Sequence, residues 1–228
     1  MKKLLTPALV LVIFLLVGST VYMNVAKQRA VDHTKLPEKV ENSKGFQKWI
    51  TNLKNKGFII EGDEFRLKEE NEIYNTKWIK IYSLDETGRP EELNRMLLAA
   101  RNKDNIVFAP SDREYIDFRN YARDGYESNE VRLYGQKEDK IIDARILDCS
   151  KKGNCYYDRG YFLDNNVFVI SEISRTIDKK DETASACSPS QECEYSFKIH
   201  LVDLINNKRW IYESKPFMGI LDNILPKL

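Results

Sequence analysis

Between Leu4 and Met23 the chain carries no charge: Leu-Leu-Thr-Pro-Ala-Leu-Val-Leu-Val-Ile-Phe-Leu-Leu-Val-Gly-Ser-Thr-Val-Tyr-Met follows directly on Lys2 and Lys3. About 20 apolar residues rising 1.5 Å each reach roughly 30 Å, the thickness of a bilayer's hydrocarbon layer. A helix apolar on every side does not suit the surface of a soluble domain. The run therefore predicts a membrane-spanning signal-anchor helix over residues 1–26, with the lipid bilayer contacted through 4–23. A cleaved secretory signal is the alternative. The positive start and apolar core fit it, but the run continues past Gly18-Ser19-Thr20 into Val21, Tyr22 and Met23, and its best cleavage site, Val17-Gly18-Ser19, is a poor one. Tyr22 stands where an interfacial aromatic belongs, with Lys27 and Arg29 beyond it as headgroup contacts. Positive charge flanks both ends of the run, so charge alone barely orients it.

The cysteines supply the orientation. All four fall into two Cys-x5-Cys pairs, Cys149 with Cys155 and Cys187 with Cys193. An even count behind an export-type N-terminus reads as disulfides in an oxidising compartment, with local pairing the simplest of three connectivities. A four-thiolate zinc site is the rival, but structural zinc ligands are usually spaced more tightly. The expectation is a cytoplasmic N-terminus and an extracytoplasmic domain.

Beyond the anchor, residues 27–43 read as a linker, with mixed charges and Pro37, and residues 44–228 as one domain large enough for a real core. Ser43 is a fair N-cap for a helix with Phe46, Trp49, Ile50 and Leu53 on one stripe and Gly57 just past its end. The period then changes to two: Phe58–Ile60, Glu64–Lys68 and Ile73–Tyr82 read as strands, with Glu69-Glu70-Asn71 as a turn. Pro90 opens a second helical stripe of Leu93, Met96, Leu97 and Ala100, and Ile106–Phe108 is a short strand. Glu114–Arg119 reads as a strand after a turn at Pro110–Arg113, although Tyr115, Phe118 and Tyr121 also suit a helix.

From Glu130 onward the pattern predicts an antiparallel meander: 130–134, 140–147, 156–163, 167–177, 194–204 and 209–213. Tight turns lie at Asp164-Asn165-Asn166 and at Ile205-Asn206-Asn207-Lys208. In such a meander alternate loops share an end of the sheet. Loops 148–155 and 178–193 then emerge together, opposite Asn165 and Asn206. Phe217, Ile220, Leu221 and Ile224 close the chain at helical spacing. The fold class expected is α+β: a transmembrane helix, then one extracytoplasmic domain dominated by an antiparallel β-meander with a few short helices.

Chemistry is sparse. A formal net charge of +1 with no basic stripe gives no nucleic-acid footprint. Neither Gly-x4-Gly-Lys-Ser/Thr nor Gly-x-Gly-x-x-Gly occurs, and nothing calls for a cofactor. Of two histidines, His33 lies in the linker, and His200 sits in a strand on the face of Lys198 and Val202, the position of an exposed or hydrogen-bonded strand residue. No Gly-x-Ser-x-Gly and no His-x3-His accompanies it, so neither a catalytic triad nor a metal ligand set is indicated. The acidic cluster around Glu61–Glu72 lacks the layout of a calcium loop. Tyr115, Tyr121, Tyr126, Tyr134, Tyr156 and Tyr157 lie near turns, where aromatic rings can stack on sugars, although strands favour aromatics for packing alone.

The sequence therefore points to a non-enzymatic binding or assembly module of a cell envelope, its partner an envelope protein or a glycan. Stapled loops at one end of a rigid sheet offer the contact surface, with Lys151, Lys152, Asn154, Ser188, Gln191 and Glu192 as candidate residues. A glycan hydrolase working through paired carboxylates and a structural spacer are the alternatives.

Overall fold

The computed structural model describes residues 32, 34–73, 79–123, 126–149, 155–175 and 187–225. The chain divides into two compact units, Met1–Thr34 and Lys35–Leu228, and the second carries every element below. The anchor expected at 4–23 lies outside the described residues. Among those residues, no helix is long and apolar enough to cross a membrane.

Two antiparallel sheets dominate. The first is ordered β1 (Arg66–Glu72), β11 (Lys208–Glu213), β10 (Glu192–Asp203), β9 (Val167–Arg175) and β8 (Cys155–Phe162), with β12 (Phe217–Ile220) also paired to β10. The second is ordered β2 (Ile79–Ser83), β7 (Lys140–Asp148), β6 (Tyr126–Lys137), β4 (Glu114–Asp117) and β3 (Ile106–Phe108), with β5 (Asn120–Arg123) on β6. The expected meander is thus divided. Strands β8 to β11 form it within one sheet, whereas the β6–β7 hairpin belongs to the other, and the chain changes layer in the first cysteine loop.

The division follows from which faces need cover. Strand β9 is buried from Val167 through Ser174. Its Val169 and Ile173 join the core with Phe197, Ile199 and the helical residues, while Phe168 and Ile170 join the core with Ile116, Leu133 and Ala144 of the second sheet. A strand covered on both faces loses its polar alternation and reads as a continuous apolar run. Gly160 marks the closest approach of the layers, because a Cβ there would stand 2.9 Å from both Ile170 and Phe118.

The other face of the first sheet is covered by α1 (Glu38–Glu41) and α2 (Lys44–Asn55). Helix α2 forms as its caps dictate: Ser43 Oγ accepts from the Phe46 N–H at 3.2 Å, and at the far end Gly57 takes φ +90° while the Phe58 N–H reaches the Leu53 carbonyl. Trp49 packs edge-on against Phe197 at 5.7 Å and donates its indole N–H to Asp158 at 2.8 Å. Removing a ring so placed costs about 3–5 kcal/mol. Leu36 and Val40, in the stretch read as linker, are buried in this same core because Pro37 starts a short helix that sets them four residues apart on one side. Helix α3 (Arg89–Ala100) follows its stripe, burying Leu93 and Ala100 and leaving Met96 partly exposed.

Three local readings change. Glu69-Glu70-Asn71 is strand, not turn, because β11 runs alongside and Lys208 meets Glu70. Phe58–Ile60 forms no strand, and Ile59 is exposed. Phe217–Ile220 is a strand instead of the first turn of a helix: the β10–β11 pairing ends at Lys198, and the edge this leaves free at Glu192–Tyr195 pairs with these residues. Only Leu221–Ile224 is helical (α4), and its Leu221 and Ile224 are buried as a capping element requires.

Candidate functional site

The register of the first sheet brings the two cysteine loops to one end. Cys155 stands opposite Ser174, Ser174 opposite Ser196, and Tyr195 opposite Arg175, whereas the Asn165 and Asn206 turns close the opposite end. Both cysteine pairs are closed as disulfides, Cys149–Cys155 with Cα atoms 5.7 Å apart and Cys187–Cys193 at 6.6 Å. The first joins the layers, since Cys149 follows β7 of the second sheet and Cys155 opens β8 of the first. Asn129 of β6 reinforces it, its carbonyl accepting from the Cys149 N–H and its side-chain amide donating to the Cys155 carbonyl.

The second disulfide shapes an exposed turn. The Gln191 N–H donates to the Ser188 carbonyl, and the Asp222 N–H of α4 holds the Pro189 carbonyl at 3.1 Å. Ser188, Gln191 and Glu192 are all exposed on this turn. Lys151, Lys152 and Asn154 lie outside the described residues. Half of the proposed contact set is therefore placed, on a turn fixed at both ends and in its middle.

Just inside this end lies a polar cluster on the face of the first sheet that looks toward the second. His200 Nε2 lies 2.6 Å from a Glu172 carboxylate oxygen, and both residues are buried. Lys198 Nζ is 3.5 Å from the other Glu172 oxygen, 2.9 Å from Ser174 Oγ and 3.8 Å from Glu213, to which Ser196 donates. Tyr157 sets its ring edge-on to the imidazole at 6.2 Å. Burial holds His200 below its ordinary pKa, against the pull of Glu172, with Arg209 and Lys198 adding to the depression. The ring is therefore neutral near pH 7, with Nε2–H donating to the carboxylate; Nδ1 is left buried without a partner. Burial likewise raises the Tyr157 phenol well above its usual range, with Glu172 the next cause.

This arrangement can hold a proton. Cys149 and Cys155 place their sulfurs within 4.8 Å of a Glu172 oxygen, a spacing a metal ion could use. With the disulfide closed, the sulfurs are committed to each other and the zinc reading lacks its thiolates. The other buried carboxylates also meet cations: Glu114 meets Lys137, Asp117 meets Arg119, and Glu130 meets Arg132 and Arg145.

Sequence reasoning had His200 on the correct face with Lys198 but not Glu172, Glu213 or Tyr157. The available signal was Glu172 itself, a lone charge inside an otherwise uncharged run from Val167 to Ser174. No protein-family model matches the chain, and no curated protein or solved structure is significantly similar to it.

Proposed function

We propose that this protein is a non-enzymatic binding or assembly module of a cell envelope, carried outside the cytoplasm on an N-terminal anchor at residues 4–23. The turn Ser188–Glu192, together with Lys151, Lys152 and Asn154, is its contact surface. The observation that carries this reading is the pair of closed local disulfides, a chemistry that persists in oxidising compartments and is rare in the cytosol. The uncharged N-terminal run supplies a route across the bilayer, and two staples at one sheet end supply a preorganised surface that loses little entropy on binding.

Two measurements test it. A reporter active only outside the cytoplasm, fused after Leu228, should be active, and the purified protein should show no free thiol. A silent reporter with four free thiols overturns the placement. A photo-crosslinker at Gln191 or Lys152 in intact cells should trap a discrete partner. Trapping from exposed Ile59 or Ile205, but never from the cysteine-loop end, moves the contact surface elsewhere.

A further inference from the structure

A groove lies on the outer face of the second sheet. It is half-open, of about 340 Å³, and runs between α3 and strands β3, β4, β6 and β7, with Met96, Ala99 and Ala100 as the helical wall and Tyr115, Tyr134, Asp117, Arg132 and Asp143 on the sheet. Small-ligand sites commonly begin at roughly 300 Å³ and combine apolar walls with a few fixed polar groups.

The polar groups here are fixed by each other. Arg119 Nε lies 2.9 and 3.1 Å from the two oxygens of Asp117, and Arg132 donates to Asp143 at 2.9 Å. Asp117 is buried, while the side chains of Arg132 and Asp143 remain 29% and 24% exposed. Arg132 also lies 3.4 Å from the buried Glu130, so with Lys103 at the rim three cations are set against three carboxylates. A phosphate or other compact anion entering here must approach these carboxylates, and a cation must approach both guanidiniums. A neutral molecule rich in hydroxyls meets neither penalty: each hydroxyl can donate to a carboxylate and accept from a guanidinium whose orientation is already set. The floor adds a hydrophobic platform, because Tyr134 is half-buried beside Tyr115 at 5.7 Å and Phe108 backs Tyr115 at 5.4 Å. An aromatic face is a surface on which the C–H side of a pyranose can stack.

We infer that the groove between α3 and the outer face of the second sheet is a carbohydrate-binding site for a neutral glycan, one sugar ring stacking on Tyr134 and its hydroxyls bridging the Arg132–Asp143 and Arg119–Asp117 pairs. The site is separate from the Ser188–Glu192 surface and stands or falls independently of it.

The test is titration of the full-length protein, in a detergent without a sugar headgroup, with chitotetraose and maltotetraose, and with inorganic phosphate as the anionic control. At least one tetrasaccharide should bind, phosphate should not compete, and Tyr134→Ala should weaken binding about tenfold, the loss of roughly one stacking contact. Tyr134→Phe should keep most of the affinity. If Tyr134→Ala does not fold, Met96→Arg fills the groove from the helix wall at a partly exposed position and should abolish binding. Absence of binding by both glycans, competition by phosphate, or undiminished affinity in Met96→Arg overturns the assignment.

Discussion

The two ends of the sheet pair are held together by different chemistry. At the cysteine-loop end the layers are joined covalently through Cys149–Cys155, with Asn129 bonded to both sides of the bridge. At the opposite end Lys137 of β6 contacts Glu114 at 2.6 Å and reaches across to the β8–β9 turn, donating to the Asn165 carbonyl and Asn166 Oδ1 at 2.8 Å each. The Asn165 side chain accepts from the Ser111 N–H at 2.8 Å. One fastening depends on redox state and the other on ionisation. Each is placed where the shared core ends, so the faces cannot splay from either side.

That contrast can be broken from either end. Lys137→Met should have the largest effect, about 3 kcal/mol, because it leaves Glu114 buried without its cation. Adding Glu114→Gln should recover most of the loss in urea unfolding. If the single substitution costs less than the disulfide, the ranking of the two fastenings is reversed. Cys149→Ala with Cys155→Ala should cost about 2.4 kcal/mol on the chain-entropy account of a seven-residue loop, with the same value whether the salt is low or high.

pH should separate two buried groups by sign. His200 is held below 6.5, so the unfolded chain takes up a proton that the folded one refuses; its contribution is present above pH 6.5 and is lost as the pH falls below it. Glu114 is raised above 4.5, chiefly by burial and against the pull of Lys137, so its contribution is present below 4.5 and fades as the pH rises through the folded value. Unfolding curves at pH 5 and 7 should show His200→Gln flattening the acid limb, and an unchanged limb would remove the histidine from it. The smallest effect should be that of Asn165→Ala, about 1 kcal/mol for one bond to a backbone N–H, measured as a shift in urea midpoint.

Much of the domain was legible because its signals are local. Ser43, the Phe46–Leu53 stripe and Gly57 specify a helix without reference to anything else, and turns at Asn165 and Asn206 set the direction of β8 to β11. Parity along those strands was enough to place both cysteine loops together. Layer membership was not legible, because pairing is a long-range choice: nothing within residues 140–163 says that β7 and β8 belong to different sheets. The C-terminal strand was missed for the same reason, since Phe217–Ile220 has helical spacing but is captured by a free edge more than twenty residues away. At the site, His200 and Lys198 followed from alternation, whereas their partner on β9 required the register. The groove under α3 was the least readable. Tyr115 and Tyr134 were visible as candidates, but their meeting with Arg132 and Asp143 depends on three strands folding beside one helix.

Strand β10 is both the continuation of the stapled turn and an interior member of its sheet, flanked by β9 on one side and β11 on the other. A pull applied at Glu192 therefore runs lengthwise into the middle of the layer and loads two hydrogen-bond ladders in shear, instead of peeling bonds open one by one. The turn is thereby coupled lengthwise to the interior of the layer, a firm hold against anything tugging on it.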